Sequence, residues 1–368
     1  MKVGILKEIK INENRVSMTP SGVDSMVHHG HTVYVESGAG IGSGFSDAEY
    51  EFAGGKIVHT PEEIYGQAEM VMHVKEILPS EYCLLRPGQI VFAYLHLAAD
   101  LQQIKALMES KCVAISYETV ELPNGNLPLL QPMSEVAGRM SIQVSARFLE
   151  MSQGGRGILL GGVPGVAPAK VVILGGGVVG TNAAKMACGL GADVTLLDKN
   201  LERLRYLSDT MPANCKLLMS NPMTVREEIK SADVVVGAVL VAGGKTPQIV
   251  TRKMISTMKK GSVIVDVAID QGGCFETSHP TTHKEPIFTI DGVIHYCVGN
   301  MPGAVPCTST FALTNATLPY ALTIADKGWK KASKDDLALF KGLNICDGKI
   351  VNLPVAEAFD MEYYPLEL

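Results

Sequence analysis

Residues Val171–Gly180 read Val-Val-Ile-Leu-Gly-Gly-Gly-Val-Val-Gly, an apolar strand running straight into G-x-G-x-x-G. An alanine-rich helical stretch follows, Val178–Gly189, and then Asp193–Asp198, a second apolar run ending in a carboxylate 18 residues after Gly180. In this order, strand, glycine turn, helix and strand-terminal acid commit the segment to a βαβ unit that holds a dinucleotide. Gly175 allows the tight turn, Gly177 lets backbone approach a pyrophosphate, and Gly180 lets helix pack closely on strand. The helix N-terminus at Val178 and Val179 offers free N–H groups and a partial positive charge. Asp198 can accept hydrogen bonds from both ribose hydroxyls and would repel a 2′-phosphate, which favours NAD over NADP.

The rest of the chain repeats the alternation. Before the motif, the apolar runs Val3–Leu6, Thr32–Glu36, Met70–Val74, Ile90–Leu95 and Cys112–Tyr117 flank helix-like stretches at Pro20–His29, Pro61–Ala68 and Leu101–Glu109. Thr19-Pro20 and Thr60-Pro61 read as an N-cap followed by a first-turn proline. After the motif come Val194–Asp198, Val234–Ala238, Ser262–Asp266 and Ile294–Val298. Strands alternating with helices predict parallel sheets covered on both faces. Two long helical patterns lie at the seams. One covers Ser134–Met151, with Val136, Met140, Val144 and Phe148 on one stripe and Ala137 and Met151 widening it. The other starts near Thr308 and is interrupted at Pro319. The expected architecture is α/β: two Rossmann-like, doubly wound parallel-sheet domains, the first discontinuous, joined by two long crossing helices. The domains are residues 1–128 and 307–368 for one and 129–306 for the other.

Composition removes several classes. Apolar residues make up 46% and charged residues 19%, and the net charge is −6 with no basic block, so nucleic acid and anionic membranes have no electrostatic footing. The eight cysteines include no C-x-x-C pair and read as reduced core residues of a cytoplasmic protein. Gly292–Ala325 carries no Asp, Glu, Lys or Arg, but Pro302, Pro306, Pro319, Asn300 and Asn315 argue against a membrane helix and for a segment buried between two domains. Ten of the 37 glycines fall within Gly154–Gly180. Those from Gly154 to Gly165 read as a turn or hinge element at the domain seam. His28-His29-Gly30-His31 reads as a helix C-terminus with Gly30 as the left-handed cap rather than as a metal site.

Ligands of open α/β sheets sit beyond the carboxyl ends of the strands. Position alone therefore selects Arg15, Lys75, His96 and Glu118 in the first series, and Asp266, Asp270 and Asn300 in the second. Arg15 suits bidentate capture of a carboxylate, or it is a surface arginine paired with Glu13. Lys75 is either a half-buried lysine of lowered pKa bonding an oxygen that gains charge, or a snorkelling edge residue. His96 is a general acid/base or a satisfied core histidine. Asp270, ahead of two glycines, steers a proton or a water, or simply forms the turn.

Several segments together resemble the alanine dehydrogenase family: Asn14-Arg15-Val16, Val74-Lys75-Glu76, Leu95-His96-Leu97-Ala98, Pro132–Arg139, Gly161–Val166, Asp266–Gly273, Asn300-Met301-Pro302 and Thr314–Thr317. The resemblance runs from Val3 to about Gly348. It implies oxidative deamination of L-alanine by NAD to pyruvate and ammonium, and a homohexamer. By resemblance, Arg15 and Lys75 bind substrate and His96 and Asp270 act in proton transfer. Ser134, Val178, Val179, Asp198, Arg203, Ser220, Val239, Leu240, Val267, Ala268, Ile269, Asp270, Val298, Gly299, Asn300 and Met301 contact NAD, alongside Gly175, Gly177 and Gly180. Some relatives place a metal-binding histidine where this chain has Lys327, paired with the residue matching Glu118, and a charged lysine cannot replace it. No metal is expected. His279 stands where some relatives carry a cofactor-side arginine. Two rivals share the motif: the NAD-binding subunit of a proton-translocating transhydrogenase, and an NAD-responsive binding protein without turnover.

Overall fold

The computed structural model describes residues 1–239 and 246–367. The chain forms two compact units, Met1–Met133 with Val305–Leu368, and Ser134–Ala304. The first seam lies in the opening turn of the Gln131–Phe148 helix, and the second lies just ahead of the Pro306–Lys327 helix.

Among the described residues the first unit holds an eight-stranded sheet. Its strands are β1 (Lys2–Ile5), β2 (Thr32–Glu36), β3 (Lys56–Val58), β4 (Met70–Met72), β5 (Ile90–Ala93) and β6 (Val113–Ser116), with β14 (Leu343–Cys346) and β15 (Lys349–Ile350) from the chain's tail. The order is β3-β2-β1-β4-β5-β6-β14-β15, parallel from β3 to β6 and antiparallel over the last two. Every residue of β4, β5 and β6 is buried, as expected of strands covered on both faces. Thr19 and Thr60 cap the helices Pro20–His28 and Pro61–Gln67, accepting from the Gly22 and Glu63 amides at 3.2 and 3.3 Å, with proline at the first helical position.

The second unit holds seven strands: β7 (Lys170–Leu174), β8 (Asp193–Asp198), β9 (Cys215–Met219), β10 (Val234–Gly237), β11 (Val263–Asp266), β12 (Ile287–Ile290) and β13 (Val293–Tyr296). Their order is β12-β13-β11-β10-β7-β8-β9, with β12 alone antiparallel. Both sheets therefore carry the 3-2-1-4-5 doubly wound order.

Four expectations change. The long helix through Pro319 is continuous from Pro306 to Lys327. Proline inside a helix costs about 3 kcal/mol, but the turns around it bury Leu313, Thr314, Thr317, Ala321 and Ile324, and that packing holds the helix through the missing bond. The helix predicted from Ser134 to Met151 runs one turn earlier, Gln131–Phe148, and Met151 is exposed in a separate 3-10 turn. Cys83 and Cys307 are exposed rather than core residues. Gly154–Gly165 lies well inside the second unit, where Gly155 and Gly161 pack against the Phe148 and Leu190 carbonyls. No helix among the described residues is long and apolar enough to cross a membrane.

Candidate active site

The strand order of the first sheet reverses between β1 and β4, the switch point beyond which open sheets bind ligands. Arg15 sits in the loop after β1, Lys75 just past β4, His96 just past β5 and Glu118 just past β6. Arg15 is 2% exposed. Its Nε and Nη2 donate to Glu13 Oε1 and Oε2 at 2.7 and 2.5 Å, and its Nη1 lies 3.0 Å from Met133 Sδ. The pairing with Glu13 is thus real but buried, not a surface contact. Burial opposes the charged guanidinium, but the bond to Glu13 and the charge of Glu13, with smaller contributions from Tyr94 and Glu8, together outweigh it and raise the pKa above its ordinary value. Burial, reinforced by the nearby Arg15 charge, lowers the pKa of Lys75.

His96 holds a left-handed backbone, φ 50°, a conformation that a non-glycine residue keeps only when its surroundings impose it. Glu118 imposes it: its carboxylate accepts from the His96 amide at 2.5 Å and the Leu95 amide at 3.3 Å, and lies 3.8 Å from His96 Nδ1. The ring stacks on Tyr94 with 45% of its side chain open to solvent. Withdrawal from bulk water lowers its pKa, Glu118 opposes the shift, and the Lys75 ammonium adds to it. The Arg15 charge thus bears on Lys75, and the Lys75 charge on His96.

Beneath Lys75 lies a network that the sequence did not reveal. His73, fully buried, has Nδ1 3.3 Å from Glu8 Oε1 and Nε2 3.1 Å from the Tyr65 hydroxyl and 3.3 Å from Glu81 Oε1. Glu8 also accepts the Val74 amide at 2.6 Å, which pins the strand end that carries Lys75. Burial works against a charged imidazole here, but the two carboxylates overcome it and raise the pKa to about 10. A raised folded-state pKa stabilises below the unfolded value of about 6.5 and loses that stabilisation as pH climbs through the folded value. The expected result is a Tm that declines between about pH 6.5 and 10, with that slope flattened in His73→Gln. An identical slope in the variant would remove His73 as its source.

In the second unit the glycine turn follows β7. Gly175 has φ 101°, and a Cβ there would meet the Ala238 carbonyl at 2.7 Å. A Cβ on Gly180 would lie 1.8 Å from the Gly175 carbonyl, so only glycine fits. A Cβ on Gly177 would meet nothing within 4 Å. Gly177 is the N-cap of the Val178–Gly189 helix and offers no side-chain cap to the first-turn amides. Asp198 closes β8 and accepts the Gly176 amide at 2.6 Å and the Asn200 amide at 2.7 Å. Arg203 spans the turn, its Nε donating to the Gly176 carbonyl at 2.6 Å and its Nη2 to Thr181 Oγ1 at 2.9 Å. Ser220 follows β9, and its amide bonds the Asp198 carbonyl at 2.9 Å. Val239 follows β10 and abuts the Gly175 position. Ser134 lies on the Gln131–Phe148 helix one turn before Gly138, where a Cβ would meet the Val179 carbonyl at 2.3 Å. Leu240 lies outside the described residues. An uncapped helix N-terminus, an open glycine and a strand-end carboxylate fit a dinucleotide's pyrophosphate and ribose.

Past β11, Asp266 is buried and accepts the Ala268 and Cys274 amides at 3.2 and 3.0 Å. This fixes the loop of Val267, Ala268, Ile269 and Asp270. Asp270 is exposed on that loop. Its Oδ2 accepts the Asn300 amide at 3.4 Å, and a Cβ on Gly299 would meet its Oδ1 at 2.7 Å. The loop is thereby joined to the segment after β13, where Val298 and Met301 are buried beside Gly299 and Asn300. His279 stacks on Phe288 with ring centroids 3.7 Å apart. Lys327 bonds Asp335 at 2.7 Å, while Glu118 serves the His96 backbone. Glu8 and Glu81 were not singled out from sequence, and Glu13 was named only as a surface partner of Arg15. Acids beside a selected cation were the available signal, but only the fold shows that they are buried.

Residues 4–137 match the N-terminal domain of the family described as alanine dehydrogenase/PNT, and residues 141–353 match its C-terminal domain. An alanine dehydrogenase of Methanococcus maripaludis is 55% identical over 368 residues, covering 100% of this chain and 99% of the relative. A solved L-alanine dehydrogenase is 53% identical with a TM-score of 0.95, covering 98% of this chain and 99% of that one. A solved transhydrogenase from Sinorhizobium meliloti is 24% identical with a TM-score of 0.81, covering 96% and 99%, and shares the fold.

Proposed function

Because the chain belongs to the alanine dehydrogenase/PNT family, we propose that it catalyses the reversible reaction L-alanine + NAD⁺ + H₂O ⇌ pyruvate + NH₄⁺ + NADH + H⁺. The observation that carries this reading is the placement of Arg15, Lys75 and His96 beyond β1, β4 and β5, at and beside the switch point of one sheet, where the Arg15 charge bears on Lys75 and the Lys75 charge on His96. Neither rival requires all three.

Arg15 holds the substrate carboxylate. Its Nη1 now contacts the Met133 sulfur, a weak acceptor that a carboxylate oxygen outcompetes. The bound nicotinamide would accept hydride from Cα once the amine is neutral. The resulting imine takes up water to give a carbinolamine, which expels ammonia. His96, neutral because its pKa is lowered, removes the proton from the carbinolamine hydroxyl as the carbonyl forms. Lys75 donates to that oxygen while it carries charge, and Asp270 takes the proton from the amine or the water. In the second unit, Gly175, Gly177, Gly180, Val178 and Val179 cradle the pyrophosphate and Asp198 takes the ribose, with Arg203 bracing the turn. Ser134, Ser220, Val239, Leu240, Val267 to Asp270 and Val298 to Met301 form the remaining cofactor surface. The family implies a nicotinamide dinucleotide, and Asp198 supports NAD over NADP. We extend the reading to a cytoplasmic homohexamer.

The test is direct. Pure protein with L-alanine and NAD at alkaline pH is expected to produce NADH, and NADP in its place far less. Normal NADH binding without turnover would instead indicate a binding protein.

A further inference from the structure

Two helices of the first unit end at the same place. His29 is the C-cap of the Pro20–His28 helix, and Asp326 lies in the last turn of the Pro306–Lys327 helix. Gly30, at φ 84°, turns the chain after the first helix so that His31 returns to the same point. His29 Nδ1 lies 3.0 Å from Asp326 Oδ2 and 3.3 Å from Oδ1, and His31 Nε2 lies 2.9 Å from Oδ1. All three ligand atoms fall within 4.8 Å of one another. The catalytic reading uses none of these residues.

We propose that His29, His31 and Asp326 form a binding site for a divalent transition-metal ion of the zinc class. Ligands about 2.0–2.1 Å from a tetrahedral ion stand about 3.3–3.4 Å apart. Measured to the shared Asp326 Oδ1, His29 stands at 3.3 Å and His31 at 2.9 Å, within a few tenths of an ångström of that spacing, and the two ring nitrogens lie within 4.8 Å of each other. Two imidazoles and one carboxylate are a donor set that zinc accepts, leaving a fourth position for water. The charge balance agrees. One carboxylate faces two imidazoles, and the negative ends of two helix dipoles converge on the point. Of the nearby amines, Lys327 Nζ is engaged by Asp335 at 2.7 Å and the Met1 amino group contacts His31 on the ring edge away from Asp326. His31 is pre-set. Its side chain is only 6% exposed, and its Nδ1 lies 3.1 Å from the Met1 amino group, which holds the ring in place. His29 and Asp326, 47% and 39% exposed, leave the ion a route in.

The experiment titrates metal-stripped, full-length protein with Co²⁺ and then Zn²⁺. One equivalent of Co²⁺ per chain is expected to give visible d–d bands, which Zn²⁺ then abolishes. His29→Ala and Asp326→Asn, both at exposed positions, are expected to lose the bands and to bind Zn²⁺ about 100-fold more weakly. Unchanged NADH binding by the variants reports an intact fold. The proposal is overturned if no saturable band forms, or if bands and affinity persist in both variants. In either case the three residues serve only as a hydrogen-bonded clasp between helix ends.

Discussion

Replacing His96 by alanine is expected to lower kcat for L-alanine oxidation by about 10²–10⁴-fold, the usual worth of a positioned general base, with NADH binding kept at the wild-type level. The proposed cofactor contacts all belong to the second unit and His96 to the first, so the loss is expected in kcat. Backbone strain complicates an alanine variant, because residue 96 sits at φ 50°. Asparagine tolerates that conformation better than most residues and has no group that titrates near neutral pH. His96→Asn therefore separates the two effects: a chemical role predicts that it is as slow as the alanine variant. The pH profile supplies a further check. The base acts neutral in the oxidative direction, so a lowered pKa keeps it competent below the ordinary histidine value, and kcat falls only on further acidification. That acidic limb should be missing from both variants. Near-wild-type turnover in either would end the assignment.

The site was legible in sequence to the extent that position encodes chemistry. Residues just past strands could be selected because the sheet rule says where ligands sit: Arg15 and Lys75 follow the strands that flank the switch point, and His96 follows the next one. The glycine turn was legible for a stronger reason: a Cβ at 180 would lie 1.8 Å from a carbonyl, so geometry permits only one residue type. What spacing could not supply was burial. Whether Arg15 paired with Glu13 at the surface or in the interior is invisible in Asn-Glu-Asn-Arg-Val, yet it decides whether that pair matters. The same holds for His73, whose partners Glu8 and Glu81 lie 65 residues before it and eight after it. Asp326, which both His29 and His31 touch, is nearly 300 residues away in sequence.

The fold was read well where strands are buried on both faces, because an uninterrupted apolar run such as Ile90–Ala93 admits few other readings. It was read poorly at sheet edges. β9, Cys215–Met219, is half-exposed, and β15 has two residues, so neither produces a pattern strong enough to stand out. Pro319 misled for a different reason. Local propensity argues for a break there, and the long-range burial of Leu313, Thr317 and Ile324 overrides it.

Replacing Arg15 by alanine is expected to do two separable things. First, it removes charge-assisted hydrogen bonds to a substrate carboxylate, each worth about 1.5–3 kcal/mol, so kcat/KM for L-alanine and for pyruvate should fall by about 10²–10³-fold. Second, it leaves the Glu13 carboxylate buried without its main cation, a loss of about 3–5 kcal/mol in stability. Glu13 is 5% exposed and uses both oxygens on the guanidinium, so water cannot readily take the cation's place. A purely structural arginine would produce the second effect and, by loosening the loop, part of the first. The double variant Glu13→Gln/Arg15→Met distinguishes them. It removes the buried charge together with its partner and keeps comparable volume, so stability measured by urea unfolding should recover most of the loss. If Arg15 grips the substrate, kcat/KM stays as low as in Arg15→Ala, because no cation meets the carboxylate. If the double variant regains turnover along with stability, Arg15 is only a packing element and the carboxylate must be held by Lys75.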